Sequence, residues 1–323
     1  MPDSTKQSIS ATQVPALFNA SPYLTKFMLY RWFKYGDEVI SPTNNRMDWG
    51  LLLEPLCLAQ AGKDLFFDVR PTRREDGTQP YVRNGLIGCT RDAEIICPDR
   101  GPGALETKCV FDYGTWMREW DGGKKPPRHH ELQLQSQMFV GDGFNSFKWG
   151  VLAAWCGGEM KYFERKPMPD LWKAMEVEAA KFFADLEAER EPDPFGAAIE
   201  LPLLAKVFPT EIGSELDLSK FDPASKEFGD ALAYAESARM MNWHDAERLG
   251  HDRAAKALKA RLFALAKSNE RVLLPHGISV TVSQSPRAGC TVNPSVTTSL
   301  KAFVPDNLPE GDLSVFDNAE IGG

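Results

Sequence analysis

The sequence predicts an α+β fold, with a mixed central sheet flanked by helices and a C-terminal extension of helices and short strands. Three observations carry this. Helical periodicity dominates residues 21–61, and period-two alternation takes over between residues 86 and 162. Glu191-Pro192-Asp193-Pro194-Phe195-Gly196 then breaks the chain before a second helical stretch.

Ser21-Pro22 opens the first helix, because Ser caps and Pro suits the first helical position. Leu24, Phe27, Met28 and Trp32 give it an apolar stripe, and Gly36 ends it. A second helix is expected from about Met47 to Ala61, with Leu52, Leu56 and Ala59 on one side and a kink or break at Pro55. Residues 71–80 read as an exposed loop. Leu86–Asp92 is strand-like and leads into Ala93–Cys97. The turn cluster Pro98–Gly103 separates it from Ala104–Val110, which makes a hairpin-like pair. Glu131–Val140 reads as a helix, with Leu134 and Met138 four apart and Gln133 and Gln137 on a different stripe. Phe147, Trp149, Val151, Ala153 and Trp155 alternate as a strand whose aromatics belong to the sheet core. Met160 and Tyr162 mark a partner strand after Gly157-Gly158. A long amphipathic helix follows from Asp170 to Arg190.

The expected division is a core over residues 1–195 and an extension over 196–323. In the extension, 224–268 is helical, 272–304 favours short strands, and an acidic tail begins at Asp306. His244-Asp245 and His251-Asp252 repeat at seven residues and read as a wet helix face rather than a second metal site. The 323 residues are 43% hydrophobic and 25% charged, ordinary for a globular protein. No stretch approaches about 18 consecutive apolar residues, so no membrane span is expected. The polar N-terminus lacks the apolar segment of a secretory signal. A net charge of −8 excludes a whole-surface nucleic-acid coat but not a local basic channel, because charge acts over only about 10 Å. The six cysteines form no C-x-x-C pair, so they read as buried reduced thiols.

The informative constellation is Asp92, thirteen intervening residues, then Glu106-Thr107-Lys108. On a strand, Glu106 and Lys108 share a face while Thr107 points away. If the hairpin sets Asp92 beside Glu106, two carboxylates and an ammonium converge, and paired carboxylates repel unless a cation neutralises them. Mg²⁺ meets that need with oxygen ligands and retained waters. With an ammonium to steady or activate a bound water, this is the inventory for hydrolysing a phosphodiester. Taken alone, the pattern also suits a plain surface ladder on an exposed strand.

The flanking blocks sharpen the reading. Ile9-Ser10-Ala11-Thr12-Gln13-Val14, Trp49-Gly50-Leu51-Leu52-Leu53-Glu54, Gly88–Asp92 with Leu105–Cys109, and Leu132–Met138 occur in this order across residues 8–165. Together they resemble the YqaJ-type viral recombinase family, the lambda-exonuclease branch of the PD-(D/E)XK nucleases. The resemblance implies a restriction-endonuclease-like α/β/α core. It implies an exodeoxyribonuclease that digests one strand of linear double-stranded DNA, 5′ to 3′, leaving a 3′ single strand for an annealing protein. It also implies two Mg²⁺ per site (Mn²⁺ substituting), a ring-shaped homotrimer around DNA, and a phage or prophage setting in a bacterial cytoplasm.

By that resemblance Asp92 and Glu106 ligate metal with the Thr107 carbonyl, and Glu54 joins directly or through water. Lys108 positions or activates the attacking water, Gln133 holds the nucleophile region or the scissile phosphate, and Thr12 sits where the family binds a terminal 5′ phosphate. This chain departs from the pattern at Arg91-Asp92-Ala93, where Pro-Asp-Gly is usual. It also lacks the Arg that usually precedes the N-terminal block; Lys6 is the nearest cation there, with Arg31 an alternative. Arg118, Lys124, Lys125, Arg128, His129 and His130 lie between the E-x-K strand and the glutamine helix, either gripping DNA or forming a solvated loop. Rival readings are a related nuclease of different polarity and a non-catalytic DNA-end-binding scaffold for a recombinase.

Overall fold

A computed structural model describes residues 8–37, 45–74, 76–241, 248–274, 278–287 and 295–303. The chain separates into two compact units, Met1–Pro192 and Asp193–Gly323.

The first unit contains β1 (Ile9–Ser10), α1 (Val14–Leu17), α2 (Lys26–Tyr35), α3 (Asn45–Leu65), β2 (Asp68–Pro71), β3 (Val82–Asn84), β4 (Ile87–Cys89), β5 (Ala93–Cys97) and β6 (Gly101–Cys109). These are followed by α4 (Tyr113–Glu119), α5 (Arg128–Val140), β7 (Gly150–Cys156), β8 (Glu159–Arg165) and α6 (Pro169–Glu187). Five strands form a mixed sheet in the order β2-β5-β6-β7-β8. Only β6 and β7 pair in parallel, with Glu106 opposite Leu152 and Lys108 opposite Ala154. A parallel pair needs a crossover, and the segment carrying α4 and α5 supplies it.

Both faces of this sheet are covered, so β7 reads as a near-continuous apolar run. Val151 and Ala153 pack with Leu58, Ala61 and Leu105 on the α3 face. Leu152, Ala154 and Cys156 pack with Trp116, Trp120, Leu134 and Met138 on the α4–α5 face. This is the mixed sheet between helices expected from the sequence. Near its start β6 passes close under an aromatic ring: a Cβ on Gly103 would lie 2.7 Å from the Trp149 ring, over which the Arg100 guanidinium stacks at 3.8 Å.

Several boundaries differ from expectation. The helix expected from Ser21 is α2 and begins at Lys26, because Thr25 accepts from Met28 N, while Ser21 Oγ accepts from Tyr23 N and Leu24 N in a preceding turn. Pro55 is tolerated inside a 21-residue α3. The strand-like run 86–92 ends at Cys89 and belongs to a separate three-stranded sheet, β1-β4-β3. Residues 90–92 therefore form a break between two sheets, and buried Arg91 locks it by donating to the Gly141 carbonyl and to Glu94 Oε1 at 2.6 Å. Cys57, Cys89, Cys97 and Cys156 are buried free thiols, and partly buried Cys109 is also free. Cys290 lies outside the described residues.

The second unit contains α7 (Leu201–Val207), β9 (Glu211–Asp217), α8 (Lys226–Met241), α9 (Arg248–Ala266), β10 (Asn269–Leu273), β11 (Ser279–Arg287) and β12 (Ser295–Phe303). Its sheet runs β12-β11-β10-β9. Leu204, Phe263, Val272, Val280 and Val282 are buried in its core. β9 escapes sequence reading because it is an edge strand with mostly polar, exposed residues. The acidic tail and His244-Asp245 lie outside the described residues, as do the side chains of His251 and Asp252.

Candidate active site at the sheet break

Asp92 sits in the break between β4 and β5, one residue before the sheet resumes. Its Oδ2 accepts from both the backbone N and the Oγ1 of Thr107, each at 2.8 Å. The middle residue of Glu106-Thr107-Lys108 thus orients the aspartate, while its neighbours face α5. Glu106 is only 2% exposed. Its Oε1 accepts from Lys108 Nζ at 2.5 Å and from Gln133 Nε2 at 2.6 Å, and its Oε2 accepts from Gln137 Nε2 at 2.5 Å.

The electrostatics follow from this crowding. Burial, then the charge of Asp92, pushes the Glu106 carboxyl up to about 7, overcoming the opposing pull of Lys108. Burial works against the Lys108 ammonium, but attraction to Glu106 and Asp92 outweighs it and holds its pKa above the usual lysine value. Glu54, on α3, is raised by burial first and by Asp92 second. Its Oε2 lies 3.4 Å from Arg73 Nη2.

The donor set suits a hard divalent cation. Two acidic side chains within electrostatic reach of each other are destabilised as a pair, and magnesium characteristically takes one or two carboxylates and keeps several waters. Among the described residues no cluster of three or more His, Cys, Asp or Glu side chains is arranged to hold a metal. The fit is therefore to the pair Asp92 and Glu106, with Glu54 paired to Arg73.

Helix α5 makes the site rigid. Residues 132–140 are all buried, polar ones included, and each glutamine has a separate task. Gln133 and Gln137, one turn apart, both reach Glu106. Gln135 turns the other way, donating to the Lys166 carbonyl at 2.8 Å and accepting from Met168 N and Trp172 Nε1 at the start of α6. Gln137 was not among the sequence candidates; its spacing of four from Gln133 was the available signal. Arg73, in the loop read only as exposed, was missed with no signal beyond its charge.

The other candidates lie around this centre. Exposed Thr12 occupies the turn between β1 and α1, its Oγ1 2.9 Å from Ser10 Oγ. The block carrying it is tied to the strand before Asp92, since Ile9 and Ser10 pair with Ile87 and Gly88. Lys6 lies outside the described residues. Arg31 donates to Asp37 Oδ2 at 2.8 Å and lies 3.4 Å from Glu191 Oε1. Lys124, Lys125 and Arg128 are exposed at the N-terminal end of α5, the helix that carries the glutamines. His129 and His130 correct the expectation of a wholly cationic cluster. Burial, then the charge of Lys108, pulls His129 down to about 4 and His130 well below the usual histidine value, so both are neutral near pH 7. They pack against Tyr23 and Trp120 respectively.

Residues 3–143 match the family model described as the YqaJ-like viral recombinase domain. No curated protein matches the chain. Among solved structures, an alkaline exonuclease (LHK-Exo) from Laribacter hongkongensis is similar at 20% identity and a TM-score of 0.44, covering 57% of this chain and 89% of that one. A phage-related exonuclease from Haemophilus somnus 129PT is similar at 13% identity and a TM-score of 0.44, covering 56% of this chain and 96% of that one. No helix among the described residues is long and apolar enough to cross a membrane. Residues 3–143, which carry Asp92, Glu106, Lys108 and the glutamine helix, are thus the stretch that is similar to the YqaJ-like viral recombinase domain.

Proposed function

We propose that this protein is a Mg²⁺-dependent exodeoxyribonuclease that digests one strand of linear double-stranded DNA, 5′ to 3′, exposing a 3′ single strand for recombination. One observation carries the reading. A buried Glu106, an Asp92 within electrostatic reach and a Lys108 ammonium 2.5 Å from Glu106 converge where the sheet breaks, and two glutamines back them. A scaffold that only binds DNA has no need to keep an ammonium beside crowded carboxylates.

Asp92 and Glu106 would hold the metal with the Thr107 carbonyl, and Glu54 would join directly or through water. Bound there, two such ions supply positive charge at the phosphate and lower the pKa of a bound water. The chain's own residues do the rest. Thr107 fixes the Asp92 rotamer through two hydrogen bonds. Gln133 and Gln137 hold Glu106 so that its oxygens face one direction. Lys108 donates its ammonium protons to the water oxygen and orients a lone pair toward phosphorus. In the hydrolysis, the water oxygen bonds to phosphorus, the P–O3′ bond breaks, and the water's lost proton is balanced by one gained at the departing 3′ oxygen. Lys124, Lys125 and Arg128 provide charge for the DNA backbone, and Thr12 and Lys6 meet the terminal 5′ phosphate. Arg31 contributes only if it leaves Asp37. A homotrimer and an annealing-protein partner in a bacterial cytoplasm, in a phage or prophage setting, complete the proposal, on family resemblance.

The test uses 5′-labelled linear duplex with and without Mg²⁺, beside Asp92→Ala and a circular control. Metal-dependent release of label from linear DNA alone, lost in the variant, is the expected result. Cutting of circles would mark an endonuclease, and shifted but uncut DNA would mark an end-binding scaffold.

A further inference from the structure

The loop after β2 is stitched to the backbone that carries Asp92. Thr72 N donates to the Asp92 carbonyl at 3.0 Å, Thr72 Oγ1 donates to the Arg91 carbonyl, and Gln79 Nε2 reaches that same carbonyl at 3.3 Å. Within the loop, Arg74 N donates to the Thr78 carbonyl at 2.8 Å, and Gly77 N to the Arg74 carbonyl at 2.9 Å. The turn closes at Gly77, whose φ of 81° favours glycine. Asp76 Oδ1 accepts from Thr78 N and Oγ1. A surface loop is thereby held against the site at both ends.

Arg73 is the cation this loop presents to Glu54. Its Nη1 donates to the Gly77 carbonyl at 3.0 Å, which aims Nη2 at Glu54 Oε2, 3.4 Å away. A charge-assisted N–H···O⁻ bond is normally about 2.7–2.9 Å, so this contact is long and single-pronged. The Arg73 side chain is 34% exposed while that of Glu54 is 12% exposed. The contact is long, single-pronged and solvent-exposed on its Arg73 side, so exchanging its partner costs little. The loop anchors one prong of a planar fork and leaves the other on a carboxylate that the metal would claim.

We propose that Arg73 grips the DNA backbone at the reaction centre. When Glu54 turns to the divalent ion, the guanidinium, still anchored on Gly77, takes a non-bridging oxygen of a phosphate beside the scissile one. Metal loading and DNA binding are thereby linked through one exchange of partners. This rests on reading the site as a DNA nuclease and adds a strand-binding residue to it.

The test measures binding of a fluorescent linear duplex by anisotropy, with Ca²⁺ in place of Mg²⁺, and steady-state cleavage with Mg²⁺. Arg73→Ala is expected to raise Kd and KM about tenfold with kcat within about threefold, the effect of losing one charged phosphate contact. The slope of log Kd against log salt should fall by about 0.9. Arg73→Lys should recover only part, because an ammonium is a point charge without the fork. Arg74→Ala, in the same loop, should match the wild type. If Arg73→Ala does not fold, Arg73→Gln, which keeps a donor for Gly77, is read in the same way. A folded Arg73→Ala or Arg73→Gln with wild-type Kd, KM and salt slope overturns the assignment while leaving the nuclease reading intact. A wild-type protein that neither binds nor cuts linear duplex overturns both.

Discussion

The two flanks of the Asp92–Glu106 pair are built to opposite specifications. On the α5 side, Glu106 is buried and held by Lys108, Gln133 and Gln137 at 2.5–2.6 Å. On the α3 side, Glu54 has one contact at 3.4 Å to a partly exposed arginine on a loop. The first arrangement resists motion, since each glutamine displaced would leave a buried polar group unpaired at about 1–3 kcal/mol. The second exchanges partners cheaply. The nuclease proposed here would need both: a fixed reference for the reacting phosphate, and an edge that can reorganise as metal and strand arrive.

The comparison breaks most completely at its shared centre. Asp92→Ala should lower strand degradation on the order of 10³-fold, equivalent to about 4 kcal/mol of barrier, in a labelled-duplex assay. The fold should survive, since only the two Thr107 donors lose their acceptor.

The rigid flank carries a pH signature of nearly that size. Glu106 titrates near 7 in the folded protein but near its ordinary value once unfolded. Between those values the unfolded chain has lost a proton that the native state keeps, so stability falls as pH rises from about 4.5 to about 7. The loss is on the order of 3 kcal/mol at about 1.4 kcal/mol per pH unit. Denaturant melts across that window should show it, and Glu106→Gln should abolish it. Metal binding requires the ionised form, so metal affinity of the wild type should rise over the same window and level off above it.

Gln137→Leu sharpens the contrast. Removing one buried donor from Glu106 should cut kcat roughly thirtyfold, about 2 kcal/mol, with KM for DNA little changed. Glu54→Gln tests the loose flank and should cost less, about tenfold. Its loss should appear mainly as a higher Mg²⁺ requirement, read from metal titrations of rate. If Glu54→Gln proves more damaging than Gln137→Leu, the division into fixed and exchangeable flanks is wrong.

Much of this was readable from local pattern. The strands Ala93–Cys97 and Gly101–Cys109 pair as the expected hairpin, around a turn shorter than the Pro98–Gly103 cluster because Gly101–Gly103 join the second strand, and the alternation through Glu106, Thr107 and Lys108 places the two charged side chains on one face. Gln133 and Gln137 share a stripe because helical spacing requires it. Other features escaped because their cause is distant in sequence. The run from Leu86 to Asp92 looks like one strand leading into the next, yet it is strand only over Ile87–Cys89, in a different sheet from Ala93–Cys97, since Ile9 and Ser10 pair with Ile87 and Gly88. Ser21 looks like a cap, but Thr25 serves, because the preceding turn uses Ser21.

Chain order and side-chain chemistry therefore settled which groups can meet at the sheet break: two carboxylates, an ammonium and an amide, on elements whose periodicity is local. Packing settled how each is held. Burial raised the Glu106 carboxyl and kept His129 and His130 neutral. The pairing of Glu54 with Arg73 and of Glu106 with Gln137 joins residues 19 and 31 positions apart. Periodicity acts over a few residues, whereas desolvation and partner choice depend on which remote surfaces meet, and that information exists only once the chain has folded.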